Sequence, residues 1–215
     1  SGVGLEDRQA LRVLRDAVDP QNGSDAAIRD FYATWFATDL SARDLFPPDM
    51  DSQRRVFASA LTWLFGELIA QRAEEPVAFL AQLGRDHRKY GVTPQHYDTM
   101  QDALYAALRT HLATRWTPNV AEAAHDAIAL IVGLMRGAAD AEQSPAYCDG
   151  TVVEHHRVTR DVSVIRLQLD QPLFYHPGQC VTVQVPQWPR RWRYPGTSWP
   201  PPPPHPREPC RRPGA

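Results

Sequence analysis

The feature that most constrains the fold is a change of hydrophobic period near residue 145. From about residue 5 to 143, apolar residues recur every three or four positions, the spacing that places them on one face of an α-helix. From about residue 147 to 194, apolar and polar residues alternate, as they do along β-strands. The last stretch, residues 195 to 215, contains nine prolines and cannot bury a core. The sequence therefore predicts a helical domain over 1–143, a β segment over 147–194 and a Pro-rich, disordered tail over 195–215.

Proline and glycine mark where the predicted helices begin and end. The first helix ends at Asp19-Pro20, because the residue before a proline avoids the helical conformation. Thr93-Pro94 and Thr117-Pro118 each begin a later helix, with threonine as the N-cap and proline in the first turn. A helix from about Pro76 is predicted to end shortly before Gly91, a typical C-terminal cap. These signals divide the region into six or seven helices.

Composition and charge exclude several kinds of partner. The 23 Lys and Arg residues against 25 Asp and Glu give a net charge of −2, which argues against nucleic acid or an anionic membrane. The longest apolar run, Ala127 to Met135, is about half a membrane span. Cys148, Cys180 and Cys210 are too far apart to indicate a zinc site or a disulfide framework. Because no secretory signal opens the chain, we expect a cytoplasmic protein.

One histidine lies on the apolar face of a predicted helix. Leu80, Leu83 and His87 are three and four residues apart, so all three side chains point toward the core. A buried neutral imidazole needs a partner, and haem iron is one candidate. A hydrogen bond within an ordinary core is the other and, for an isolated histidine, the commoner. The choice depends on the rest of the chain.

The order of aromatic and polar residues around this histidine is more specific than the histidine itself. The sequence reads Phe31-Tyr32-x-x-Trp35-Phe36, then Phe46, then Gln53 in the next helix, then His87, then Gly91-Val-Thr-Pro-Gln-His-Tyr97. Over about residues 5 to 143, this order resembles the globin half of flavohaemoglobins. The resemblance implies a mainly α chain with a globin fold that binds haem b.

The resemblance also implies a role for each of these residues. His87 corresponds to the proximal haem ligand, and Tyr32 to the distal tyrosine that donates a hydrogen bond to bound dioxygen. Gln53 corresponds to the distal glutamine beside that tyrosine. The remaining matches are Phe46 and Phe57, which pack on the haem, and Tyr97, which lies behind the proximal histidine.

A glutamate of the last helix completes the proximal hydrogen-bond network in that family. Counting from His125, which takes a family tryptophan position, places Asp140 there, although aspartate is one methylene shorter.

Physical chemistry supports these roles, and each has an ordinary alternative. A neutral imidazole is a good iron ligand when its other nitrogen is hydrogen-bonded, and a phenol donor stabilises negative charge on bound dioxygen. Tyr32 would otherwise be a core tyrosine bonded to the backbone, Gln53 an exposed first-turn residue, and Tyr97 part of the core.

The β segment resembles the beginning of the flavin domain that follows the globin in flavohaemoglobins. The matching residues are Gly150-Thr151-Val152, Pro177-Gly178-Gln179 and the strand from Val181. The Arg-x-Tyr-Ser motif of that family is replaced by the run Arg191 to Pro195, which is similar to a divergent actinobacterial-type branch. The resemblance ends after Tyr194, and about fifty residues cannot close a flavin-binding barrel without leaving unpaired edges. We therefore expect an incomplete all-β fragment and no competent FAD site.

These observations predict a haem-binding globin of flavohaemoglobin type that binds O2 or NO. In that family the site converts NO to nitrate with O2 and with electrons delivered through FAD from NADH, so here turnover would require an external flavin reductase. Two alternatives remain open: a non-enzymatic haem-based gas sensor or store, and a haem-free helical interaction module. A Soret band in the purified protein would exclude the last.

Overall fold

The computed structural model describes residues 4–22, 25–172 and 181–184. The chain separates into two compact units, Ser1–Gln143 and Ser144–Ala215. The predicted motifs at Pro177-Gly178-Gln179 and Arg191 to Pro195, and the Pro-rich tail, lie outside the described residues.

The first unit is built of helices, as its hydrophobic period predicts. Its α-helices are α1 Leu5–Val18, α2 Ala26–Thr38, α3 Leu40–Arg43, α4 Asp51–Ala70, α5 Glu74–His87, α6 Pro94–Leu112 and α7 Pro118–Ala141. The mainly α fold class is therefore confirmed. Among the described residues, no helix combines the length and the apolar composition needed to cross a membrane.

Local capping chemistry explains why α6 and α7 begin where they do. Pro94 and Pro118 are their first residues, and the missing amide of proline is one that a helix leaves unbonded there. The Thr117 hydroxyl accepts a hydrogen bond from the Val120 amide at 3.3 Å. Both predicted helix starts are confirmed.

After α3 the chain continues in single turns, in which the amides of Leu45 and Phe46 donate to the carbonyls of Ala42 and Arg43 at 3.1 and 3.3 Å. The helix ends at Arg43, whose guanidinium donates to the carbonyls of Phe46 and Pro47 at 3.2 and 3.0 Å. The residue before a proline avoids the helical conformation, so the helix cannot continue through Pro47-Pro48. The turn hydrogen bond of its amide and the Arg43 guanidinium on its carbonyl together hold Phe46 in place.

Gly91 ends the turn after α5 in the left-handed conformation, with φ of 77°. A Cβ there would meet nothing within 4 Å, so an alanine would be opposed by backbone strain alone. We expect Gly91→Ala to lower the free energy of unfolding by about 1–2 kcal/mol, measured by urea denaturation. The matched control is Gly66→Ala within α4, where space is also open. That control should raise stability by roughly 0.5–1 kcal/mol, and equal effects of the two changes would contradict the assignment.

Helix pairs of the first unit pack around one apolar core. α2 packs on α6, α1 packs on α4 and α7, and α5 packs chiefly on α7. Gly84 of α5 lies so close to α7 that a Cβ would overlap the main-chain carbonyl of Met135. Its missing side chain therefore sets how closely α5, which carries His87, approaches α7.

The second unit contains an antiparallel pair of strands in its described part. β1 Gly150–Arg157 pairs with β2 Ser163–Leu169, with an irregularity between Val152 and Glu154. The alternation of apolar and polar residues would ordinarily indicate strands buried on one face, but along both strands every side chain except that of Leu169 is exposed. Alternation gives a buried face only when a second layer covers it, and the described residues of this unit supply none. Of the strand predicted from Val181, the structure describes residues 181–184, and Val183 among them forms an isolated β-bridge.

Candidate functional site

Helices α2 and α4 bring Tyr32 and Gln53 together across 21 residues of sequence. The Gln53 side-chain amide donates a long hydrogen bond, 3.4 Å, to the Tyr32 hydroxyl. Tyr32 is buried, with 4% of its surface exposed, and this burial raises its pKa. The phenol therefore keeps its proton at neutral pH and remains a hydrogen-bond donor. Gln53 is half-buried rather than exposed, so the ordinary alternative for this residue does not hold.

Two phenylalanines hold the Tyr32 ring by edge-to-face contacts. Phe46 lies 5.5 Å from it at an interplanar angle of 76°, and Phe57 lies 5.7 Å from it at 61°. Such pairs contribute about 0.5–1.5 kcal/mol beyond simple burial, so they fix the direction of the ring. Tyr32, Phe46, Gln53 and Phe57 form what we call the distal cluster.

His87 is the last residue of α5 and is half-buried. Its Nδ1 lies 2.6 Å from the Leu83 carbonyl oxygen, which can only accept a hydrogen bond. The proton therefore sits on Nδ1, and Nε2 presents its lone pair. Burial lowers the pKa of His87, which favours the neutral ring. A neutral imidazole with its second nitrogen fixed in this way is the state that binds iron.

The two helices that carry Gln53 and His87 meet near the turn at residues 71–73. Trp63 and Phe79 pack edge-to-face there, with ring centroids 5.2 Å apart. Gln53 and His87 lie beyond this contact, farther from the turn along each helix. Because α4 packs on α1 and α5 on α7, different neighbours support the two residues.

The side chains around these residues suit an apolar macrocycle with one axial ligand. Several apolar residues on or beside the helices of the candidate site are only half-buried although they pack against the core: Phe46, Phe57, Leu83, Val92 and Met100. The imidazole lone pair can serve as the axial ligand, the half-buried apolar side chains can contact the macrocycle, and the protonated phenol can donate to a gas on the iron. The residues present fit the group.

The predicted proximal network is not formed as expected. Tyr97 is buried, but its hydroxyl has no hydrogen-bond partner among the described residues. Asp140 is exposed and its carboxylate lies 4.0 Å from Arg136 Nε. Burial and, to a lesser degree, the Asp140 charge raise the pKa of Tyr97. The short aspartate side chain is thus near enough to act through its charge but does not bond the phenol, and the predicted hydrogen bond is absent there.

A polar cluster around the buried carboxylate of Asp39, not predicted from the sequence, lies beside the distal cluster. Asp39, 5% exposed, accepts hydrogen bonds from Ser41 Oγ at 2.6 Å and from Thr99 Oγ1 at 3.0 Å. Trp35 Nε1 donates to Thr99 Oγ1 at 2.9 Å. These bonds, that of Ser41 foremost, lower the pKa of Asp39. The available signal was Asp39 itself, a typical N-cap residue directly before a short helix.

His96 joins this cluster but does not make it catalytic. Its Nδ1 accepts from the Thr93 amide at 3.0 Å, so Nε2 carries the proton and donates to Ser41 Oγ at 2.9 Å. The Ser41 hydroxyl in turn donates to Asp39. Since the serine stands between the histidine and the carboxylate, its proton goes to Asp39, and the histidine is no base for it. No cluster of potential metal-binding side chains occurs among the residues that the structure describes.

A cavity of about 290 Å³ lies between α4, α5 and α7. It is lined mainly by aliphatic side chains, among them Leu64, Leu80 and Ile131, with the Glu67–Arg72 ion pair alongside. No residue of the distal cluster lines it, and neither does His87. It therefore belongs to the α4–α5 turn and is separate from the candidate site.

Comparisons with known proteins identify the family of the helical unit. Residues 29–135 match the sequence model of the globin family. No curated protein matches the sequence significantly. A flavohemoglobin from Malassezia yamatoensis, solved with bound FAD and heme, has a similar structure, with a TM-score of 0.63 and 17% sequence identity. The match covers 90% of this chain and 53% of that one, so this chain spans about half its length.

At this identity the structural likeness establishes the fold, and the sequence match establishes the domain. Both agree with the resemblance drawn from Tyr32, Gln53 and His87. The chain therefore contains a globin domain over residues 29–135, and its fold is like that of a flavohemoglobin over about half of that protein's length.

Proposed function

We propose that this globin binds haem b through His87 and holds O2 or NO against the distal cluster. The observation that carries the proposal is the state of His87, whose Nδ1 proton is held by the Leu83 carbonyl while Nε2 keeps its lone pair. When bound, haem supplies an iron centre that coordinates diatomic gases.

The distal residues supply a hydrogen bond and exclude water. Burial keeps the Tyr32 phenol protonated, and Gln53 donates to its oxygen, which leaves the phenol proton free for a ligand. Phe46 and Phe57 restrict the position of that phenol. A donor held in place before a ligand arrives stabilises negative charge without the cost of reorganisation.

We further propose that the same site supports conversion of NO to nitrate when a flavin reductase delivers electrons. The fold shared with a flavohemoglobin that binds FAD and heme supports this activity. Since the chain spans about half of that protein, the assay should supply the reductase and NADH.

One observation favours a second candidate, a non-enzymatic gas sensor or store. Asp140 pairs with Arg136 and does not hydrogen-bond Tyr97. Its carboxylate therefore donates less electron density to the proximal ligand than a glutamate bonded within that network would. Weaker donation favours reversible binding over cleavage of the O–O bond.

Haem reconstitution and NO consumption test the proposal. Titration with haemin should give a Soret band with one equivalent bound, and the reduced protein should bind O2 and NO reversibly. Consumption of NO with O2, NADH and an added flavin reductase separates the enzyme from the sensor or store. A Soret band that stays at the position and width of free haemin throughout the titration would refute haem binding and leave the helical interaction module.

The Tyr32 phenol has its own test in the haem-loaded protein. We expect Tyr32→Phe to increase the O2 dissociation rate by about tenfold or more, because a hydrogen bond to a charged acceptor is lost. Stopped-flow displacement of O2 by CO measures the rate. Tyr105→Phe is the matched control, since Tyr105 packs on Trp116 away from the distal cluster. Equal O2 dissociation rates in the wild type and in Tyr32→Phe would show that the Tyr32 phenol does not bond bound O2.

A further inference from the structure

The indole of Trp35 connects the polar cluster around Asp39 to the rings of the distal cluster. Its indole ring lies 5.6 Å from Phe46 at an interplanar angle of 74° and 6.4 Å from Tyr32 at 30°. Trp35 is 5% exposed, so its ring is surrounded on nearly all sides. Any rotation of the indole would change the space available to both neighbours.

Two consecutive hydrogen bonds fix the angle of this indole. Trp35 Nε1 donates to Thr99 Oγ1 at 2.9 Å, and Thr99 Oγ1 lies 3.0 Å from Asp39 Oδ2 as its donor. Its single proton faces both this carboxylate and the Gln95 carbonyl of its own helix, each at 3.0 Å, so the two acceptors share the proton and keep the hydroxyl in one rotamer. Apolar packing restricts the position of the indole ring, whereas these two hydrogen bonds also fix the direction of its N–H edge.

The same carboxylate also sets the position of Phe46. Asp39 accepts hydrogen bonds from the Ser41 and Ala42 amides and so caps α3. Phe46 follows three residues after the end of α3, where Arg43 binds its carbonyl. Asp39 therefore has two connections to the distal cluster, one through α3 and one through Thr99 and Trp35.

We propose that Asp39 and Thr99 are positioning residues for gas binding, acting through Trp35 on Tyr32 and Phe46. The proposal rests on the proposed function, because it concerns the same distal cluster. Neither residue touches the ligand. Their effect is to hold the phenol donor at the angle from which it reaches a bound gas.

The central test is Thr99→Val, which removes the hydroxyl and keeps the shape. We expect the variant to bind haemin with unchanged affinity but to release O2 about fivefold faster, as for the loss of one well-aligned hydrogen bond. Thr99→Ser keeps a hydroxyl and should restore the wild-type rate. Thr110→Val, at an exposed position of the same helix, is the matched control and should change nothing.

A second measurement does not depend on haem. In the 15N-labelled apoprotein, the indole resonance of Trp35, assigned by its loss in Trp35→Phe, should move in Thr99→Val and return in Thr99→Ser. The Tyr32 ring resonances should shift with it. If wild type fails to bind haem while these shifts occur, the proposed function fails and the positioning of Tyr32 stands.

Trp35→Phe is the second substitution of a double-mutant cycle with Thr99→Val. If the Thr99→Val protein does not fold, Trp35→Phe takes its place in the test. Because both changes break the same connection, the doubly substituted protein should release O2 no faster than either single variant. A folded Thr99→Val protein with wild-type O2 release would overturn the proposal. So would multiplicative effects of the two substitutions, or a Thr99→Ser variant as fast as Thr99→Val.

Discussion

His87→Ala is expected to abolish haem retention by this protein. The residue offers a neutral imidazole whose Nδ1 is held by the Leu83 carbonyl, and it is the only histidine of α5. We expect the affinity for haemin to fall by about 100-fold or more, since loss of a supporting hydrogen bond alone costs 10–100-fold. Gel filtration after reconstitution, with the Soret absorbance of the protein peak, measures the loss.

External imidazole and a surface histidine provide the controls. Millimolar imidazole should restore part of the Soret band to His87→Ala by occupying the vacated position. His125→Ala should bind haemin normally, because His125 is exposed and bonds only its neighbour Asp126 among the described residues. A wild-type ferrous spectrum in His87→Ala without imidazole would show that another group is the axial ligand.

The pH at which the protein loses haem provides a second measurement on His87. Protonation of an imidazole competes with iron, so ligation is lost as the pH falls through the pKa of the ring. Burial lowers the pKa of His87 below its ordinary value of 6.5. Haem retention should therefore persist to a lower pH than it would with a histidine of ordinary pKa.

Gly84→Ala is expected to destabilise the helical unit strongly. The new Cβ would overlap the Met135 carbonyl, which belongs to the α7 backbone and cannot rotate away. Overpacking in a core costs about 1–3 kcal/mol, and a backbone clash lies at the upper end, so we expect a loss of about 3 kcal/mol. Urea denaturation of the apoprotein, followed by far-ultraviolet circular dichroism, measures the change.

The position of Gly84 also links this clash to the iron ligand. His87 follows one turn later on α5, so a displacement of α5 from α7 moves the imidazole as well. Gly84→Ala should accordingly weaken haemin binding in addition to stability. Gly133→Ala on α7 meets nothing within 4 Å and should raise stability by roughly 0.5–1 kcal/mol. An unchanged unfolding midpoint in Gly84→Ala would mean that α5 and α7 are not in close contact.

The helix limits were predictable because they depend on neighbouring residues. Pro94 and Pro118 begin their helices for reasons present in the local sequence, and Gly91 adopts the left-handed conformation that its position requires. The pairing of Tyr32 with Gln53 was predictable only through the family resemblance, since spacing along α2 and α4 does not show which faces meet.

The remaining features depend on contacts between distant parts of the chain. Ser41 and His96 are 55 residues apart, and Thr99 and Asp39 are 60 apart, so no local pattern indicates that they bond. Asp140 has the expected position along α7, but its shorter side chain and the nearby Arg136 determine where its carboxylate ends. Helical periodicity gives the face of a residue and not its competing partners.

The separate support of α4 and α5 has a consequence for how this globin tolerates change. Substitutions on the face of α1 that packs on α4, rather than on its face toward α7, should loosen the Gln53 side and alter gas release, while the iron–imidazole bond keeps its spectroscopic signature. Substitutions in α7 should do the reverse. Substitutions can therefore tune gas release and the strength of the iron–imidazole bond through different helix contacts, although both sets of contacts belong to one apolar core.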